Sequence, residues 1–335
     1  MNPRHLSVLA VLALLSVGAT ATVLRTSATT IASDRRGERV LAGLAGKAGD
    51  ISGLTLRQGA DTLSIERRGS GFVAADSGYP VKTDAVRDVL ASSIELTFEE
   101  ARTRDPARYG DLGLADPPAT EGGKEITFRA GGDDLADIVV GNRDSSVGGP
   151  IGGVFVRLKG QPQTWLARGN VRLPPSRTDW LVPIDLGIRR NEIRKIEVSG
   201  GGRDGVTAEA PADKPGELTL QSVPEKHVPD AFKVSRLVTF IESFTFQDVR
   251  KRTKPNDDPR RLTADIGDGM RLSFTGVGDL AEGWVQISAE ATGDAARDKT
   301  NALNAKLQGH DFRLPPHQTD VLGWTIADLT NEQKS

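Results

Sequence analysis

The chain has four histidines, His5, His227, His310 and His317, and no two lie three or four residues apart. Metal-binding imidazoles need that spacing on a helix or a nearby set of thiolates and carboxylates, and no H-E-x-x-H occurs. Cysteine is absent, which excludes disulfides, thiolate zinc sites, iron–sulfur clusters, a thiol nucleophile and a lipobox anchor. A phosphate cradle needs a glycine loop that opens a helix. The glycine-rich run 148–153 leads instead into a strand-like segment and reads as a hairpin loop. No G-x-S-x-G elbow is available to a serine nucleophile. No cofactor or metal is expected.

Carboxylates could still work as acid and base. Asp179 and Asp320 recur in two similar segments, as do Asp185 and Asp328. A Thr-Asp pair after Pro-Pro is, however, a helix-capping arrangement in which the Asp oxygen accepts a backbone N–H. Capping is the expected role. Glu99-Glu100 reads as a solvated helix end and Asp133-Asp134 as a hairpin tip. One basic cluster stands out: Arg250, Lys251, Arg252 and Lys254, followed by Arg260 and Arg261. Arg102, Arg104 and Arg108 form a weaker counterpart. Cations in the last turn of a helix favour its dipole, by roughly 0.3–1 kcal/mol each. The cluster is otherwise a candidate contact surface for anionic headgroups or a partner, although Asp257 and Asp258 sit within it. Trp165, Trp180, Trp284 and Trp324 fall at strand ends and in repeated segments, where core packing is expected ahead of sugar stacking.

The elements that would carry these residues come in two similar sets. Arg172-Leu-Pro-Pro-Ser-Arg-Thr-Asp-Trp-Leu181 is echoed by Arg313-Leu-Pro-Pro-His-Gln-Thr-Asp-Val-Leu322, seven of ten positions being identical. Residues 85–102 align with 233–250, sharing Val86/Val234, Thr97-Phe98/Thr245-Phe246 and Arg102/Arg250. Echoes at this spacing indicate an internal duplication. Short alternating runs at 54–56, 63–66 and 71–74 read as strands. Val86, Val89, Leu90, Ile94 and Leu96 then follow helical spacing behind Lys82-Thr83-Asp84, which holds the candidate N-caps. Further short strands are expected at 125–129, 136–140, 153–157 and 164–166. The second set repeats this order, with strands at 195–198, 207–209 and 218–221, a helix near 234–244, and strands at 270–275 and 284–289. The fold class is α+β: two tandem repeats of a mainly antiparallel sheet, each with one covering helix, after an N-terminal transmembrane helix. The expected boundaries are 1–25 for a signal-anchor segment, 26–38 for a linker, 39–187 for the first repeat and 188–330 for the second.

The leader is basic and then apolar. Residues 6–24, from Leu6 to Leu24, carry no charge. As a helix they span about 28 Å, close to a hydrocarbon core of about 30 Å. Residues 6–17 also have the size of a signal-peptide core, and Ala19-Thr-Ala21 has the form of a cleavage site. A retained anchor is favoured. Arg25, Arg35, Arg36 and Arg39 follow the segment, so short-flank charge counting does not favour a cytoplasmic N-terminus. Long domains cross regardless of charge, so the body is expected outside the cytoplasm. The 335 residues hold 43 Lys+Arg and 45 Asp+Glu, net −2, which gives no electrostatic reason to expect nucleic acid.

Several short runs together resemble the bacterial domain-of-unknown-function family 4340. They are Leu41-Ala-Gly-Leu-Ala45, Gly78-Tyr-Pro-Val81, Asp105-Pro-Ala-Arg-Tyr-Gly110, Gly113-Leu-Ala-Asp-Pro117 and Val139-Val-Gly141. Gly153-Val-Phe-Val-Arg157, Thr164-Trp-Leu166, Leu173-Pro-Pro175 and Asp179-Trp-Leu181 complete the set. The likeness covers about residues 38–190, with Val154-Phe155 standing where a Tyr is common. It implies one N-terminal transmembrane helix, an extracytoplasmic body and an accessory role beside gliding-motility-type ABC-2 exporters, and it carries over no catalytic residue. The expected protein is non-enzymatic and anchored by residues 6–24 in the inner membrane, with a periplasmic body meeting an ABC permease or cargo. A cell-envelope hydrolase or glycan-binding module is the alternative.

Overall fold

The computed structural model describes residues 35–119, 122–147, 149–267 and 269–333. The expected anchor at 6–24, the cleavage site after Ala21 and most of the linker lie outside them. Among the described residues, no helix is long and apolar enough to cross a membrane. The chain forms two compact units. One holds the chain up to Phe72 together with Val81–Pro174; the other holds Val73–Pro80 together with the chain from Pro175 onward.

The strands of the first sheet are β1 (Gly53–Gln58), β2 (Asp61–Arg68), β3 (Gly71–Ala74), β4 (Pro80–Val81), β5 (Thr97–Ala101), β6 (Lys124–Ala130), β7 (Asp133–Asp144), β8 (Gly153–Leu158) and β9 (Thr164–Arg168). They build one sheet in the order β4-β3-β2-β1-β6-β7-β8-β9-β5. Register follows the alternation of apolar residues, because partners across an antiparallel ladder share a face. Leu63 faces Leu56, Leu56 faces Ile126, Ile126 faces Ile138 and Ile138 faces Leu158, an aliphatic row crossing five strands. Helix α1 (Thr83–Glu95) buries Val86 and Val89, with Asp84 in its first turn near the positive end of the dipole. Lys82 is its N-cap, without a side-chain capping bond.

The second unit contains β10 (Ile193–Ser199), β11 (Val206–Glu209), β12 (Thr219–Leu220), β13 (His227–Pro229), β14 (Asp248–Lys251), β15 (Arg261–Ile266), β16 (Met270–Gly276), β17 (Trp284–Ala291), β18 (His310–Arg313) and β19 (Thr330–Glu332). Its main sheet runs β12-β11-β10-β15-β16-β17-β18-β14, and β13 pairs with β19. Strand for strand this is the order β3-β2-β1-β6-β7-β8-β9-β5 of the first unit. Val198, Leu262, Phe274 and Ile287 form the corresponding buried row. Helix α2 (Ala231–Glu242) covers it, placing Phe240 edge-on against Phe274 at 4.8 Å. Asp230 caps α2 by accepting from the Phe232 and Lys233 amides.

Three sequence expectations need correction. Glu99 and Glu100 belong to β5, not to a helix end, because the β-branched and aromatic pair Thr97-Phe98 starts a strand one residue after α1 ends. Arg250 and Lys251 lie on β14, five residues or more beyond the end of α2, so the basic cluster does not interact with a helix dipole. A helix that apolar periodicity does not announce, α3 (Arg297–Leu307), stands between β17 and β18. Its Asn304 amide accepts from Ala289 N at 2.9 Å and donates to Ala289 O at 2.7 Å. One polar side chain there satisfies a stretch of β17 beyond its pairing with β18.

Candidate functional site

Three of the four recurring carboxylates serve as turn acceptors. Asp179 sits in the one-turn helix Arg177–Trp180 and accepts from Ser176 N at 3.0 Å and Ser176 Oγ at 2.7 Å, a reciprocal capping box. Asp185 accepts from Gly187 N at 2.8 Å, and Asp328 accepts from Thr325 N and Oγ1, both at 2.8 Å. The Thr325 amide bond holds the Asp328 carboxyl below its ordinary range. Asp320 occupies the position of Asp179 on α4 (Pro316–Gly323) and is exposed. His317 stands where the first copy has Ser176 but lies inside α4, whose N-cap is Pro315, so the capping box is not repeated.

The basic cluster divides into buried and exposed members. Arg260 is 4% exposed and donates to the carbonyls of Leu322, Gly200, Arg203, Asp204 and Trp324. Burial, then the nearby Arg203 charge, lowers its pKa from the usual guanidinium range. It is an internal strut and does not belong to an exposed contact surface. Arg250 is half-buried: its guanidinium stacks 4.1 Å from the Trp284 ring, and its Nε donates to Asp311 at 3.2 Å. Asp311 is 0% exposed and also accepts from Thr253 N, Thr253 Oγ1 and Gln286 Nε2. Lys251, Arg252, Lys254 and Arg261 are exposed. Since β14 ends its sheet, Lys251 places charge on an edge strand, a common guard against edge-to-edge pairing.

Two of the four tryptophans, Trp165 and Trp180, are buried core residues. Trp284 and Trp324 are half-buried, with Arg250 and Arg236 stacked on their faces at 4.1 and 4.9 Å. His310 packs edge-on to Tyr79 at 5.2 Å, and its Nδ1 is buried without a hydrogen bond. Among the described residues no group of three or more metal-ligating side chains gathers.

The second unit also carries a groove of ≈ 780 Å³ that the motif search did not locate. α2 forms one wall through Ala231, Val234 and Val238, and Leu218 and Leu220 form another. Arg189 and Arg190 line it near Glu242. Beyond Ala231 the chain exposes two large apolar side chains, Phe232 at 74% and Val228 at 40%. Phe232 is the one signal that the sequence offered, an aromatic half a turn out of phase with the buried stripe Val234, Leu237, Val238 and Ile241.

The family model described as "Domain of unknown function (DUF4340)" matches residues 72–265, more than half of the chain. No curated protein and no solved structure matches.

Proposed function

This chain belongs to the DUF4340 domain-of-unknown-function family, and from that premise we propose that it is a non-enzymatic, membrane-anchored accessory protein. Its body faces the periplasm and works by contact with a transport partner of the ABC type or with that partner's cargo. The observation that carries this reading is the exposure of two large apolar side chains, Phe232 and Val228, next in sequence to Ala231 and Pro229, which line the 780 Å³ groove. Exposed apolar patches are characteristic of contact sites. The turn roles of Asp179, Asp185 and Asp328 support it, since these three of the four recurring carboxylates are occupied in holding backbone. Lys251, Arg252, Lys254 and Arg261 are proposed as a second, cationic part of the contact surface.

The anchor reading rests on the uncharged stretch from Leu6 to Leu24, and the exporter context on the family resemblance. A duplicated origin for the body is part of the proposal, supported by the shared strand order and by the echo of 172–181 in 313–322. Extraction of the full chain in mild detergent should retain ABC permease subunits. Elution alone, under conditions that preserve other envelope complexes, would overturn the reading.

A further inference from the structure

The groove of the second unit is chemically polarised along α2. Arg190 donates to Ser235 Oγ at 3.4 Å and Thr239 Oγ1 at 3.2 Å and pairs with Glu242 at 3.5 Å, so polar lining collects toward the C-terminal end of the helix. Charges there nearly cancel: Glu242 is paired with Arg190 and Glu217 with Lys214. Arg189 is the remainder, exposed, its guanidinium without a hydrogen bond or ion pair among the described residues. Along the other direction the accessible lining is apolar, through Leu218 above the nearly buried Val238, Leu220 and Val234, and it ends at Pro229 and Ala231.

We propose that this groove holds one acyl chain of a long-chain carboxylate, with its acidic head at Arg189 and its tail along Leu218 toward Ala231. Several observations converge on that occupant. The volume lies within the range of small-molecule sites, about 300–1,000 Å³. The rise of α2 from Ala231 to Glu242 is about 16 Å, the length scale of one extended chain. An unpaired guanidinium at one end matches an anionic head. A peptide would bring backbone N–H and C=O groups against Val234, Val238, Leu218 and Leu220, which offer them no side-chain partner. A bilayer surface does not follow a concave wall. The inference stands apart from the transport role, because it needs only the second unit's own residues.

The test uses the full chain in neutral phosphatidylcholine nanodiscs, exposed to palmitate carrying a photoactivated diazirine near its tail. Mass spectrometry of digests maps the labelled peptides. Labelling is expected within 215–242. Ala231→Trp, which fills the apolar end from an exposed position, should lower it at least tenfold, and Arg189→Glu at least fivefold. Both variants should keep the wild-type unfolding midpoint. The neutral hexadecanol analogue should label at most one-fifth as strongly. Label confined to other peptides, or undiminished in Ala231→Trp, would overturn the site. Equal labelling by the alcohol would overturn the acidic head.

Discussion

The Tyr79 hydroxyl donates to the Val182 carbonyl at 2.9 Å, joining residues 103 positions apart. Around the same ring, Phe246 and Phe312 pack edge-on at 5.7 and 5.8 Å. Burial raises the phenol's pKa well above its usual value, so the hydroxyl stays a donor. Tyr79→Phe removes only the bond and is expected to cost about 0.5–1.5 kcal/mol. Tyr79→Ala also empties the aromatic cluster, and about 3–5 kcal/mol is expected. Urea unfolding of the two variants measures both, and equal losses would show that the ring packing contributes nothing beyond the hydroxyl.

Asp311 is the buried acceptor on which the loop after β14 converges. Asp311→Ala leaves Arg250, Gln286 and the Thr253 amide without that partner, at an expected cost of about 3–5 kcal/mol. Hydrogen exchange at Thr253 N–H should accelerate in the same variant. Asp311→Asn keeps an acceptor oxygen and should cost less.

His310 gives the second unit a dependence on pH. Burial lowers its ring pKa from the ordinary value, which is about 6.5, so the folded state favours neutral imidazole. Above that pH both folded and unfolded chains carry a neutral ring, and the contribution is complete. As pH falls below it, the unfolded chain takes up a proton that the folded chain resists, and stability declines toward the lowered folded pKa. His310→Gln is expected to flatten this decline. Urea midpoints at pH 7.5, 6 and 5 compare the two, and parallel curves would remove His310 as the source.

The split within the basic cluster makes opposite predictions for neighbouring cations. Charge reversal of Lys251, Arg252 and Lys254 together should change stability by less than about 1 kcal/mol, as for exposed sites. It should also reduce co-purification of the permease. Arg260→Lys cannot reproduce donation to five carbonyls from one planar fork and is expected to cost about 2–4 kcal/mol. Unfolding midpoints and permease recovery, measured side by side, separate the strut from the surface.

Apolar period made much of the architecture legible. The strands at 54–56, 125–129 and 270–275 and the helices near 85 and 234 follow from alternating or 3.6-residue apolar spacing, and all are found. Strands β5, β14 and β18 escaped, since residues such as Glu99-Glu100, Arg250-Lys251 and His310-Asp311 put charge where alternation would show an apolar face. The cause is tertiary: Glu99 is ion-paired with Arg36 and Arg168, and Asp311 is satisfied by four donors. Helix α3 escaped because its buried face is only Thr300, Leu303 and Leu307. The groove was hidden for a different reason. Its walls, Leu218 and Leu220 on one element and Val234 and Val238 on another, are ordinary core residues in sequence, and only their spacing in three dimensions leaves room between them.

Val73–Pro80 belongs to the second unit although first-unit sequence flanks it on both sides. No single cut of the gene therefore yields two whole pieces. A fragment beginning at Pro175 would carry Phe246, Phe312 and His310 but lack the tyrosine ring they surround. Its rescue would require that octapeptide supplied in trans. Halves tied together in this way are inherited as a pair, and recombination can neither drop nor trade one of them without carrying along a short piece of the other.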